Sequence, residues 1–245
     1  MEITLPRVSL RLDDATLARQ LRRAAKDFGA VHILHHTLRA DEALDNLQKW
    51  TNLSHAQKAS ATPPKPGGKA TGYVPLAAES GNQHFLELKE GYCFAAANNV
   101  WPDNHAALLG DRWAPSMLRL LDESYRATDA IGRALALLLR RPAAYRADTP
   151  AASLSLMRAF RYFEPSHAPS LAPGLPRTGS SPHTDWFLVT LVVHRDRRGG
   201  LQLFRHGEWR PVRGAAHGEP AQVLAIFGDY FSALSGGVFT SPLHR

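Results

Sequence analysis

The period of the apolar residues changes near residue 150, and that change constrains the fold more than any single motif. Before it, apolar side chains recur at helical spacing. Asp14 through Phe28 sets Leu17, Leu21, Ala24, Ala25 and Phe28 on one stripe, with Asp13 or Asp14 as N-cap and Gly29 as terminator. Ala30–Leu34 then reads as a short strand, Glu42–Trp50 as a second amphipathic helix, and Pro115–Arg141 as a long one carrying Met117, Leu121, Ile131, Leu135 and Leu138. Ser60–Lys69, rich in Pro and Gly, reads as a surface loop. After residue 150 the apolar runs are short and rich in β-branched and aromatic residues: Leu156–Phe163, Phe187–Val193, Leu201–Phe204, Gln222–Phe227 and Gly237–Thr240. Asp196–Gly200 and Arg205–Glu208 read as hairpin turns. Such a sequence predicts helices packed around an antiparallel sandwich or barrel.

Composition narrows the function. The apolar fraction of 44% and charged fraction of 21% are those of an ordinary globular protein. The longest apolar stretches, Ala134–Leu139 and Phe187–Val193, fall far short of the ~20 residues of a membrane-spanning helix. Met1–Pro6 lacks the basic and apolar regions of a signal peptide, and the single Cys93 allows no internal disulfide, so the expected compartment is the cytoplasm. The net charge of +7 raises nucleic acid as a partner. The basic residues are scattered, however, mostly as arginine, in no run longer than the pairs Arg22-Arg23, Arg140-Arg141 and Arg197-Arg198, and without interleaved aromatic residues. A nucleic-acid surface is therefore not expected, and the expected partner is a small-molecule substrate.

Twelve histidines make accidental motifs easy to find. Two H-x-D triplets occur, His183-Thr-Asp185 and His194-Arg-Asp196, where chance yields roughly 0.6. Their settings differ. The loop Gly179–Pro182 carries His183 and Asp185 into the strongest strand of the chain, where residues two apart face the same side and can converge on one ion. His194 and Asp196 close that strand and enter a Gly-Gly turn, the setting of a solvated polar pair.

The first triplet also opens an ordered series. It runs on through Trp186–Leu191, Gly199-Gly-Leu-Gln-Leu203, Gly207-Glu-Trp209-Arg-Pro-Val212 and Phe227-Gly-Asp229 to Ser235–Ser241 and Pro242-Leu-His244-Arg245. In this order the segments resemble the iron(II)/2-oxoglutarate-dependent dioxygenases, in particular the isopenicillin-N-synthase-like branch. Ile3–Pro6, Leu17–Leu34 with His35, Lys89–Tyr92 and Asn99–Pro102 extend the resemblance back through most of the chain. It implies an α+β protein with a mainly β core: a double-stranded β-helix (jelly roll, cupin-like) over residues 151–245, with an N-terminal helical region over 1–150. It also implies His183, Asp185 and His244 as ligands of Fe(2+). Two imidazoles and a carboxylate on one face leave three positions open, which in the family serve 2-oxoglutarate and O2. The chemistry implied is oxidative decarboxylation of 2-oxoglutarate coupled to hydroxylation, desaturation or cyclisation of a small organic substrate.

Met157–Tyr162 matches the family's R-x-N-x-Y strand, which implies that Tyr162 donates a hydrogen bond to the far carboxylate of 2-oxoglutarate. A core aromatic with its hydroxyl at the rim is the alternative. Phe160 stands where many members carry Asn. Trp186, Phe187 and Trp209 are read as barrel packing. The chain ends at Arg245, before the R-x-S that grips the co-substrate in the family. The expectation is a core short of its closing C-terminal strands, with His244 where a chain normally frays. A 2-oxoglutarate-independent iron oxidase, or an inactive remnant acting as a binding module, are the alternative functions.

Overall fold

The structure is a computed structural model that describes residues 2–61, 71–80, 84–141, 156–164, 166, 174–195, 200–214 and 219–245. In chain order these form β1 (Arg7–Ser9), α1 (Asp14–Asp27), β2 (Ala30–Leu34), α2 (Ala40–Thr51), α3 (His55–Ala59), β3 (Gly72–Val74), β4 (Leu86–Glu87) and β5 (Lys89–Ala95). Then come α4 (His105–Leu109), α5 (Trp113–Leu138), β6 (Leu156–Tyr162), β7 (Arg177–Thr178) and β8 (Val189–His194). The chain closes with β9 (Gln202–Arg205), β10 (Glu208–Pro211), β11 (Gln222–Phe227) and α6 (Asp229–Leu234). No helix among the described residues is long and apolar enough to cross a membrane.

Local chemistry sets many of these boundaries. Asp13 caps α1 by accepting from the Thr16 amide at 2.9 Å, and the stripe Leu17, Leu21, Ala24 and Ala25 is buried. Gly29 follows at φ 69°, the left-handed conformation that lets the chain turn directly into β2. Ser54 and Gln57 close a reciprocal capping box on α3. The long helix stops at Leu138 rather than at Arg141, because Arg140 leaves the helical region at φ 56°. His206 and Gly207, at φ 51° and 79°, form the tight turn between β9 and β10, as read from Arg205–Glu208. The parts of the Ser60–Lys69 loop and of the Asp196–Gly200 turn beyond Ala61 and before Gly200 lie outside the described residues.

By contacts the chain divides into two units. The first comprises Met1–Asp41, Glu123–Thr149 and Pro182–Arg245. Its four-stranded sheet has the order β1-β2-β11-β8, parallel only between β1 and β2. Central β11 is buried from Val223 to Phe227, as an interior strand requires. Ile3, Leu5, Ala30, Leu203, Val212, Leu224 and Ile226 form one apolar core beneath it. The second unit comprises Glu42–Asp122 and Pro150–Ser181. It holds the sheet β3-β5-β6 and the short parallel pair β4-β7. An aromatic cluster of Trp50, Tyr73, Tyr92, Phe94, Trp101 and Trp113 meets largely edge-to-face, the arrangement ring quadrupoles favour. The described strands close no barrel.

Helices dominate the first half as expected, but β3, β4 and β5, which the sequence reading did not anticipate, also lie within it, and one expected strand is absent. Lys89-Glu90 gives β5 a polar, exposed look in sequence, yet Lys89 through Phe94 are all buried. A strand sends successive side chains to opposite faces, and each charge finds a partner on its own side. Lys89 meets Glu87 at 2.8 Å, while Glu90 meets Lys58 at 2.8 Å and the Tyr73 hydroxyl at 3.1 Å. Gly237–Thr240, in turn, is a turn and not a strand. Gly236 and Gly237 are both left-handed, at φ 67° and 79°, and Phe239 stacks on Phe231 with centroids 5.1 Å apart.

Candidate metal centre

His183 and His244 are brought face to face by backbone pairing. The His183 amide donates to the His244 carbonyl at 2.9 Å, and the His244 amide donates back to His183 at 2.9 Å. The same terminal segment pairs on its other side with β9, where Gln202 and Arg245 exchange bonds of 3.0 and 3.1 Å and the Phe204 amide donates to Leu243. His244 is therefore held as the middle of a three-stranded pairing and is only 5% exposed. The expected fraying of the terminal segment does not occur.

The paired backbones set the two imidazoles 4.3 Å apart between centroids. Asp185, two residues after His183, places Oδ1 3.7 Å from His183 Nε2 and 3.8 Å from His244 Nε2. One ligand atom from each residue lies within 4.8 Å of the others, and no other such group of His, Cys, Asp or Glu occurs among the described residues. Donors on one face of an ion at ~2.1 Å lie about 3.0 Å apart, so the two carboxylate–imidazole separations need to close by under an ångström to share a metal.

The donor chemistry fits as well. His244 Nδ1 lies 3.1 Å from the Pro242 carbonyl, which can only accept, so Nδ1 carries the proton and Nε2 keeps its lone pair toward Asp185. Burial, partly opposed by the bond to Pro242, holds the His244 imidazole below the usual histidine range and so favours the neutral, ligating form. The loop bearing Asp185 is tied down in turn. The Thr184 hydroxyl donates to Asp229 Oδ2 at 2.9 Å, and the Asp229 amide donates to the Asp185 carbonyl at 2.7 Å. Gly228 permits this approach, because a Cβ there would lie 1.9 Å from the Phe187 carbonyl oxygen. Reading Phe227-Gly-Asp229 only as a strand marker missed these contacts. The signal was present: a glycine and a carboxylate directly after a fully apolar strand.

The remaining candidates are distributed differently. His194 ends β8 opposite Gln222 and is not in the triad; Asp196 lies outside the described residues. Tyr162 belongs to the second unit, at the end of β6 opposite Lys89, and is 57% exposed. Phe160, on the same face of β6, lays its ring against Gly91, where a Cβ would come within 2.7 Å of it. The Lys89 ammonium and the Arg158 guanidinium lie 4.8 and 4.9 Å from the Phe160 centroid. Trp209 meets the Phe204 ring and the Arg245 guanidinium. Trp186 and Phe187 depart from the expected packing: they are 82% and 60% exposed. The ligand loop holds them off the sheet, since β8 begins only at Val189.

Residues 155–245 match the family model described as the 2OG-Fe(II) oxygenase superfamily. Over 262 aligned positions the chain is 30% identical to gibberellin 20 oxidase 2 of Oryza sativa subsp. indica, a match covering 100% of this chain and 64% of that relative. The chain thus spans just under two thirds of the length of this curated relative. The solved structure of a full-length Neurospora crassa protein in complex with alpha-KG and thymine aligns at a TM-score of 0.78 and 17% identity, covering 98% of this chain and 78% of that one. JOX2 in complex with 2OG, Fe and JA aligns at 0.76 and 19% identity, covering 100% and 70%. These likenesses establish the jelly-roll fold.

Proposed function

Because the chain belongs to the 2OG-Fe(II) oxygenase superfamily through residues 155–245, we propose that it oxidises a small organic molecule and that His183, Asp185 and His244 hold its iron. The observation that carries this reading is the convergence of these three side chains, with the proton of His244 committed to Pro242. In the proposed organisation, residues 151–245 are the oxygenase core and residues 1–150 the N-terminal region.

When bound, iron(II), 2-oxoglutarate and O2 supply the oxidising power, yielding succinate and carbon dioxide alongside the oxidised substrate. The work of the chain is positional. His183 and His244 would hold the ion through imidazole nitrogens and Asp185 through a carboxylate oxygen, leaving positions for further ligands. The bond from Nδ1 to Pro242 fixes the His244 ring, so its lone pair needs no reorientation on binding. The role proposed for Tyr162 is to donate its hydroxyl proton to a carboxylate oxygen of 2-oxoglutarate, a role compatible with its exposure. The relatives named above are described with gibberellin, thymine or JA, each of a different chemistry, and the substrate proposed here is no narrower than a small organic molecule.

Anaerobic titration with Fe(II), with and without 2-oxoglutarate, tests this reading. The expected result is a visible charge-transfer band that needs both components, followed by succinate release on admitting oxygen. His183→Ala abolishes the band, whereas His194→Ala leaves it at near-native intensity. Iron binding without the band favours an oxidase that draws its electrons from substrate, and equal effects at the two histidines overturn the ligand assignment.

A further inference from the structure

We propose that Asp229 and Thr184 form a positioning clamp that sets the Asp185 carboxylate for metal binding, an inference that rests on the ligand set proposed above. Between His183 and Asp185 the chain has no strand partner of its own, because the backbone pairing to His244 ends at His183 and β8 begins only at Val189. The start of α6 holds the intervening ligand loop. There the Thr184 hydroxyl donates to Asp229 Oδ2 at 2.9 Å, the Asp229 amide donates to the Asp185 carbonyl at 2.7 Å, and the Tyr230 amide donates to the Trp186 carbonyl at 3.2 Å. The Gly228 amide adds a bond to Leu188 at 3.1 Å. Three of these four bonds are main-chain and survive most substitutions. The one side-chain bond, from Thr184 to Asp229, fixes the residue that separates two ligands.

A two-residue H-x-D step leaves Asp185 free to turn about its own backbone unless that backbone is fixed on both sides. The His183 pairing fixes one side, and Asp229 fixes the other. Groups that orient a ligand in this way are worth 10–100-fold in metal affinity. Asp229 bonds the Thr184 side chain and the Asp185 backbone, so it acts through loop geometry. An acceptor oxygen is all that Thr184 requires of position 229, and a hydroxyl is all that Asp229 requires of position 184.

The test uses the full chain and Co(II), whose visible bands report binding without oxidation, together with amide hydrogen exchange in the absence of metal. Thr184→Val and Asp229→Ala are each expected to weaken Co(II) binding about tenfold, and the double variant to bind no more weakly than the weaker single one. Thr184→Ser and Asp229→Asn, which keep the donor and the acceptor, are expected to stay within about twofold of native, a rescue that a general loss of packing would not show. Without metal, Thr184→Val speeds exchange of the Asp229 amide while leaving the amides of β11 unchanged. Native-like Co(II) affinity in Thr184→Val, multiplicative losses in the double variant, or failure of Asp229→Asn to rescue overturns the clamp. Absence of Co(II) binding by the native chain overturns the ligand set and the role of the clamp toward it, while the exchange measurement still decides whether the bonds restrain the loop. Thr184→Val is close in shape to the native residue, so the question stays open to test even if Asp229→Ala fails to fold.

Discussion

At the scale of single residues, the buried charges of the second unit behave differently from the surface charges that dominate the composition. Glu87 accepts from Lys89 at 2.8 Å and from the Ser181 amide at 2.6 Å. Burial alone raises its carboxyl, but these hydrogen bonds and the Lys89 charge outweigh it and hold the group below the usual carboxylate range. A carboxyl depressed on folding stabilises above its unfolded value, about 4.3, and loses that contribution as pH falls through the lower folded value. Glu87→Gln is expected to cost about 3 kcal/mol at pH 7, because it leaves the buried Lys89 under-compensated. In thermal melts the gap between native and variant should close as pH drops below about 4.3. A gap independent of pH would show that shape, and not ionisation, carries the effect. Cys93, by contrast, is buried with its thiol pushed up to about 11 by desolvation, which makes it an inert core residue.

At the scale of elements, Gly29 couples the first helix to the segment that carries the last ligand. It caps α1 in the left-handed conformation, and its Cβ would lie 2.7 Å from both Pro242 Cδ and the Thr240 carbonyl oxygen. Gly29→Ala is expected to destabilise the chain by about 3 kcal/mol through strain and displacement. It should also weaken Co(II) binding, since the displaced segment runs on through the Pro242 carbonyl to His244. Gly207 provides the contrast. It too is left-handed, at the β9-β10 turn, but nothing lies within 4 Å of its Cβ direction. Gly207→Ala should therefore cost only about 1 kcal/mol and leave metal affinity unchanged. Denaturant midpoints and Co(II) titrations of the pair check both statements. Equal metal affinities in the two variants would remove the link between the helix cap and the site.

At the scale of the whole molecule, all three proposed ligands belong to one of the two units although they come from both ends of the Pro182–Arg245 stretch. A metal that binds the native state at a hundred times its dissociation constant adds about 2.7 kcal/mol. Amide exchange should show that protection arriving in β8, β9, β11 and the His183–Asp185 loop. Equal protection of β5 and β6 would mean that the two units open as one. The change of period near residue 150 marks where strand-rich sequence begins, yet the compact units interleave across it, with Pro150–Ser181 in one and Pro182–Arg245 in the other. Period reports which elements form. It carries no information on which of them share a core.

Much of this protein was legible in its sequence because the physics involved is local. The Asp13 cap, the buried stripe of α1, the Gly29 turn and the bounds of β2 and β11 depend on residues within a few positions of one another. The preference for His183-Thr-Asp185 over His194-Arg-Asp196 could also be argued from the loop-to-strand setting of the first triplet. Tertiary structure alone decided what depends on partners distant in the chain. A Lys-Glu pair can be an interior strand once Glu87 and Lys58 neutralise it on the correct faces and the Tyr73 hydroxyl donates to Glu90. Trp186 and Phe187 stay exposed because Gly228 and Asp229 hold the ligand loop away from β8. His244 becomes an ordered ligand because it pairs with His183 on one side and with β9 on the other. Helical and strand periods are set by the chain's own geometry, whereas these three outcomes are set by sheet register, and register is a property of two strands at once.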